Sequence, residues 1–410
     1  MTAIMAIKLP PIGMTARMLT INFAAVLARQ KELSVSLTSD CVLMEADNED
    51  LLLIGFNNAL KEAAVLLRSK LITKNGTPPI RDFYVHKNDR KTLENLLGRS
   101  LDKTAQFAIT IADILQSPPP LSYHDLNDLS LVEIKSKRTK LSIRLGNGQK
   151  LLAVPQIMLF ERFESRYEFP RGRGGGPIEV RASIPWILVL LAGFAVGYAG
   201  AYEDEALIYY ITEDILRRVC EDKYFRDFLL SQGGLIPLLT RLNVPPRPKI
   251  AYVIYTTCHV LNKMRQQSDF LRFLLETPLI LEIDRIRGWK AFTLLERFSI
   301  DMHPLLRRLS ELPDKVVTWL ENKAKRTLFA LVYGGTAAEY SHYINFITLA
   351  YEVLTGAEDP TALAYYAMRV LAEKEAEKRK DEEEKLRYLM QESYYVKEFL
   401  KSAQKWAMMQ

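Results

Sequence analysis

The chain has 410 residues, 48% of them hydrophobic and 25% charged. That is too long for one ordinary core and too apolar for wholesale disorder, so two or more folded domains are expected. The formal net charge is +6, and the three cysteines (Cys41, Cys220, Cys258) form no CxxC pair. That spacing argues against a zinc knuckle, a dithiol redox motif and a disulfide framework, and it points to a reducing compartment.

The amino-terminal stretch MTAIMAIKLPPIGMTARML shows no basic region followed by an apolar run and a small-residue cleavage site, so a cytoplasmic protein is expected. MTARMLTINFAAVLARQ has helical spacing, and CVLME reads as a strand. NEDLLLIGFNNALKEAAVLLRSKLI reads as a long helix with Asn48 as N-cap and acids in its first turn. RDFYVHK reads as a short strand. The next helical stretch, DRKTLENLLGRSLDKTAQFAITIADILQ, stops before Pro118. LSLVEIKSKRTKLSIRLGNGQKLLAVP alternates with period two, as a hairpin turning near Lys137–Arg138 with a second turn at Gly146–Gly148.

This hairpin lies in the most basic part of the chain. Residues 131–181 hold eleven Lys or Arg and five Asp or Glu, and 11 − 5 = +6 equals the net charge of the whole chain. A concentrated positive patch attracts polyanions; its bland counterpart is a lysine-decorated solvent face of a sheet. Next come RGRGGG, read as a mobile Arg/Gly loop that an anion would order, and 21 uncharged residues from Ala182 to Tyr202. That length meets the rough requirement of ~20 residues for a membrane span. Against a span stand Pro185, Gly193, Gly197 and Gly200, a face of small alanines, and EALIYYITED, which reads as a strand running into a capped helix. A buried core helix is the better reading.

From about residue 212 the sequence reads as almost entirely helical. TEDILRRVCEDKYFRDFLLSQGG is expected to start at Thr212 as N-cap and to end at Gly233–Gly234. The last helix carries a run of alternating charge with i,i+4 pairs at Glu375–Arg379, Lys380–Glu384 and Glu383–Arg387, a solvated pattern. Its end regains aromatics (Tyr394, Tyr395, Phe399, Trp406) and is expected to dock on its own bundle or on a partner. The fold class that follows is α+β: a mixed α/β domain over 1–180 with a basic hairpin, then a helical domain over 181–410.

The search for chemistry is mostly negative. The five histidines form no HxH or HExxH pattern, no GK[ST] follows the glycines, and no GxSxG elbow exists. His124–Asp125 is an HD dipeptide of the kind that supplies metal ligands in phosphohydrolases, but a site needs further His and Asp partners. No catalytic residue, metal or cofactor is therefore assigned. The cations nominated for nucleic-acid backbone are Lys135, Lys137, Arg138, Lys140 and Arg144 of the hairpin, Arg171 and Arg173 of the loop, and Arg247 and Lys249 after the proline turn. Weaker basic clusters lie at Arg241, at Arg285, Arg287 and Lys290, at Arg307 and Arg308, and at Lys323, Lys325 and Arg326.

The order of parts, with SIPWILVLLAGFAVGYAG, ALIYYITED and RIRGWKAFTLLERFSIDM…LLRRLSELP, resembles the large subunit of archaeal type I-A CRISPR surveillance (Cascade) complexes. The likeness runs loosely over residues 1–390 and is best at 183–212 and 285–313. It implies a non-catalytic subunit that binds crRNA and target double-stranded DNA and inspects the motif flanking the target. It also implies repeated backbone subunits and a small helical subunit as neighbours, and a separate helicase-nuclease for cutting. The competing expectations are a metal-dependent nuclease at His124–Asp125, a single-span membrane protein, and a protein-only scaffold.

Overall fold

A computed structural model describes residues 2–11, 14–71, 82–137, 140–147, 151–158, 179–202, 204–242, 244–288, 292–330, 337–372, 376 and 381–408. The fold is mixed α+β, with small sheets and a helical carboxy-terminal region. The chain forms two compact units, Met1–Asn243 with Leu281–Ser299, and Val244–Ile280 with Ile300–Gln410. The expected division at 180/181 falls inside the first unit. The apolar helix beyond it packs back onto the amino-terminal helices, so the two sides of that position share one core.

In the first unit, β1 (Ala3–Lys8), β2 (Ser34–Leu37) and β3 (Cys41–Ala46) form an antiparallel sheet in the order β1-β3-β2. Helix α1 (Thr15–Leu27) is buried along its whole length. Helix α2 (Glu49–Leu71) starts on Asn48, whose Oδ1 accepts the Leu51 N–H at 2.9 Å. The expected strand at 81–87 is only a single bridge between Tyr84 and Gln106. The helical stretch after it breaks at Gly98, whose φ of 67° ends α3 (Lys87–Leu97) before α4 (Phe107–Gln116) begins. A short helix α5 (Tyr123–Leu126) leads into a four-stranded sheet of β4 (Val132–Lys137), β5 (Lys140–Leu145), β6 (Leu152–Ala153) and β7 (Glu179–Ala182), in the order β4-β5-β7-β6.

The uncharged stretch is resolved into helix and sheet. Helix α6 (Ile184–Gly197) is buried from Pro185 to Gly197, and the next residues become β8 (Tyr198–Tyr202). Among the described residues no helix is long and apolar enough to cross a membrane, because the helix stops where the sheet takes over the backbone hydrogen bonds. Two glycines let α6 approach its neighbours. A Cβ on Gly193 would lie 1.9 Å from the Leu19 carbonyl oxygen, and one on Gly197 would lie 2.0 Å from that of Tyr209. Asn22 joins the same elements: its Nδ2 donates to the carbonyls of Gly193 and Tyr209 at 3.2 and 2.9 Å, and its Oδ1 accepts the Ile211 N–H at 2.8 Å.

The last carbonyls of α6 are satisfied by a buried lysine amine. Lys70 Nζ donates to Val196, Ala195 and Tyr198 carbonyls at 2.7, 2.9 and 3.1 Å. Burial, helped by the Arg241 charge, holds this amine well below the usual lysine range. Asp82 serves the amino-terminal end of α4. Its carboxylate accepts the N–H groups of Ala108, Phe83 and Ile109 at 2.7, 2.8 and 3.3 Å, yet burial still pushes it up to about 7.

β8 pairs with β9 (Glu205–Tyr210), and β9 with β10 (Ile280–Gly288), in a sheet ordered β11-β10-β9-β8 that includes β11 (Phe292–Asp301). The expectation of almost entirely helical structure after about 212 fails here. RIRGWKAFTLLERFSID is a pair of strands, and they close over a buried carboxylate, Asp284, that Arg297 grips through Nε and Nη2 at 2.7 and 2.9 Å. The helix expected from Thr212 is also two. α7 (Glu213–Glu221) is capped by Thr212, and α8 (Lys223–Leu230) restarts on Asp222, whose side chain accepts from Tyr224 and Phe225. Helix α9 (Leu235–Leu239) ends this run.

The second unit is built from α10 (Lys249–Met264), α11 (Ser268–Glu276), α12 (His303–Ser310), α13 (Asp314–Ala330), α14 (Ala337–Thr355), α15 (Pro360–Tyr366) and α16 (Glu382–Met408). α10 and α13 pack along each other and share a polar seam in which Glu321 accepts from Asn262 and meets His259 at 2.6 and 2.8 Å. α16 docks through Val396, Phe399, Ala403 and Trp406, which recur on one face and are buried. Of the expected charge pairs, Glu383–Arg387 is formed, Glu375–Arg379 lies outside the described residues, and Lys380–Glu384 lies partly outside them.

Candidate nucleic-acid interface

The hairpin expected from period-two alternation is present. Val132 to Lys137 pair antiparallel with Leu145 to Lys140, and β7 joins the far side of β5 in parallel. Side chains of a strand alternate between faces, and directly paired residues share one. One face therefore carries Ile134, Ile143 and Val180 in one row and Val132, Leu145 and Ala182 in the next. Ile143, Leu145, Val180 and Ala182 are buried, and that burial fixes the register: a slip by one residue would turn the apolar set to water.

The opposite face is where the charges fall. Glu133, Arg144 and Arg181 form one row across β4, β5 and β7, and all three are exposed. Lys135, Ser142 and Glu179 hold the next register positions, and Lys137 stands opposite Lys140 in the last. These positions hold five cations and two acids, and 5 − 2 = +3. Lys135 reaches along its own strand to Glu133 at 2.6 Å, a half-exposed pair of small energetic weight. Arg144 beside Arg181, and Lys137 opposite Lys140, are like charges in register. Like charges at directly paired positions disfavour the pairing, and a nearby anion offsets that cost.

The sheet thus gathers Lys135, Lys137, Lys140 and Arg144 of the nominated residues and adds Arg181, which the sequence reading counted in the basic stretch but did not nominate. The signal was there: IEVRA alternates like the hairpin, but its partner strand is distant in sequence. Arg138, Arg171 and Arg173 lie outside the described residues, as do Lys290 and the glycines of RGRGGG. Arg247 and Lys249 are exposed, but they belong to the second unit.

Several weaker basic clusters have protein partners. Arg285 meets Glu296 and Glu205, and Arg287 meets Asp204 and Glu205, at 3.0 to 3.7 Å. Arg241 donates to Ser69 Oγ at 2.7 Å. Lys323 is buried against Tyr388 and Glu392, and Arg308 lies over the Trp406 ring. Arg307, Lys325 and Arg326 are exposed.

At the HD dipeptide, Asp125 completes a capping box with Ser122. Its Oδ2 accepts the Ser122 N–H and hydroxyl, both at 2.7 Å, and these bonds hold its carboxyl below the usual range. His124 Nδ1 faces Asn127 Nδ2 at 3.3 Å. Among the described residues no group of three His, Cys, Asp or Glu is placed to hold a metal ion.

Compared with known proteins, the chain matches no protein-family model and no curated protein.

Proposed function

We propose that this chain is a nucleic-acid-binding, non-catalytic subunit of a cytoplasmic crRNA-guided DNA-surveillance complex, with the β4-β5-β7 face lying on phosphates. The observation that carries the binding half of this reading is the register that stacks like charges, Arg144 beside Arg181 and Lys137 opposite Lys140, on a sheet whose other face buries Ile143, Leu145, Val180 and Ala182. A row of cations held in register on one face of a sheet suits backbone contact, which positions a nucleic acid without reading its sequence. The surveillance half rests on the sequence resemblance alone. It supplies crRNA and target double-stranded DNA as ligands, repeated backbone and small helical subunits as neighbours, and a helicase-nuclease as the enzyme that cuts.

Two measurements separate the halves. Binding of the purified chain to single- and double-stranded oligonucleotides at stepped salt tests the interface. The expected result is affinity that falls steeply with salt and is weakened by Arg144→Glu with Arg181→Glu; a flat salt response removes the proposal. Purification of the tagged chain from its native cells tests the complex. Small uniform RNAs and a repeated partner subunit are expected, and recovery of an RNA-free single chain removes the surveillance reading.

A further inference from the structure

Helix α16 has two apolar faces, and only one is used. Val396, Phe399, Ala403 and Trp406 are buried in the second unit. On another side, Leu386, Met390 and Tyr394 recur every fourth residue at 60%, 66% and 46% exposure. The charge run read from sequence as a solvated helix therefore contains an apolar stripe that the fold leaves uncovered. Solvation explains Glu383–Arg387 and Lys385–Glu382, the ion pairs along the exposed surface. It does not explain three large apolar side chains in line.

We infer that this stripe pairs with the same stripe of a second copy of the chain, antiparallel and centred on Met390. The charges along the helix select that occupant. The first turn, Asp381 to Glu384, holds four acids, whereas Lys397 is exposed beyond the stripe and Lys401 is already paired with Glu398 at 2.5 Å. A parallel pair would set acid on acid and lysine on lysine. Antiparallel pairing about Met390 sets residues equally far from it at the same height. Leu386 then shares a level with Tyr394 of the second copy, and Glu383 shares one with Lys397. Arg387 comes within one position of the second copy's Tyr394, whose ring face suits a guanidinium.

The positions 383, 386, 387, 390, 393, 394 and 397 follow the three–four spacing of a helix-pairing seam, and all of them are exposed. From 383 to 397 the seam is about 21 Å long, at about 1.5 Å per residue. One helix pair of that length makes a small, two-fold symmetric and reversible interface, with the same patch contributed by both copies.

The test is the mass of the full chain by sedimentation equilibrium, from low to high micromolar concentration. The mass is expected to rise from 47.0 kDa toward twice that value. Met390→Glu is expected to weaken association about tenfold or more, because it sets two carboxylates against each other at the centre of the seam. The side chain is exposed, so the thermal melt at low concentration should not move. Lys397→Glu alone weakens the dimer, and Glu383→Lys combined with Lys397→Glu restores it, since each copy then offers the exchanged pair. A short bismaleimide should join Met390→Cys chains into dimers well beyond the yield from the native cysteines. A mass fixed at 47.0 kDa overturns the inference, as does a dimer indifferent to Met390→Glu or a charge exchange that fails to restore association. None of these readouts depends on nucleic acid, so the result stands apart from the proposed function.

Discussion

Helix α6 and the β4-β5-β7 sheet lie next to each other in sequence and treat polar groups in opposite ways. Around α6 the polar groups of Asn22 and Lys70 are buried and matched to named partners on α6 itself and the strands that follow it. On the sheet, Arg144 and Arg181 are exposed in one row, and the only acid in that row is Glu133, which also meets Lys135. The first pattern stabilises a fold, because an unmatched polar group there would be costly. The second lies in water, where ion pairs give little stability. Charge alone does not distinguish them; burial does.

The sharpest way to break the comparison is at Gly193. Adding side-chain atoms 1.9 Å from the Leu19 carbonyl forces α1 and α6 apart, and Gly193→Val is expected to cost more than about 3 kcal/mol or to abolish folding. Denaturant unfolding or loss of soluble protein reads this out. Lys70→Met comes next. It leaves the carbonyls at the end of α6 without their donor and should cost about 3 kcal/mol by the same measurement, with no change in nucleic-acid affinity.

Asp82 adds a pH dependence to the same core. Its folded-state value is raised from 3.8 to about 7, so the folded state holds this proton more tightly than the unfolded state does. The stability linked to it is complete below about pH 4 and is lost as pH rises through about 7. Asp82→Asn should therefore shrink the fall in melting temperature between about pH 5 and about pH 8; an unchanged fall would count against a buried carboxyl there. The smallest effect on stability belongs to the sheet. Lys135→Glu with Arg144→Glu should leave the denaturation midpoint within about 0.5 kcal/mol. The same pair should reduce oligonucleotide affinity about tenfold and flatten its salt dependence. Loss of folding in that double variant would mean that the basic face is structural.

Much of this was legible locally. The alternation of 132–145 specifies a hairpin because a two-stranded pair needs only neighbouring residues and a turn. Asn48 and Thr212 announce helix starts because a cap is a bond across three residues. The strand β1 is not legible locally because its partner β3 is distant in sequence, and β2 because it is only four residues long, although a tight turn bonded between Thr38 and Cys41 joins it to β3. β10 and β11 were misread because LLERF carries a helical spacing as readily as a strand one. Sheet pairing with β9 and the Arg297 clamp on Asp284 outweigh the local preference.

The sequence by itself determined which segments are apolar, where the positive charge concentrates, and that the hairpin would carry it. Only the tertiary structure decided which cations are drawn into contacts within the fold. Arg285, Arg287, Arg241 and Lys323 look like Arg144 in one dimension, yet they meet carboxylates, a hydroxyl or a ring once distant segments come together. It also decided that the uncharged run ends as a strand and not as a span, and that Arg181 stands beside Arg144. The physical reason is the same in each case. Burial and backbone pairing are set by the long-range fold, whereas composition and spacing record only what each residue is able to do.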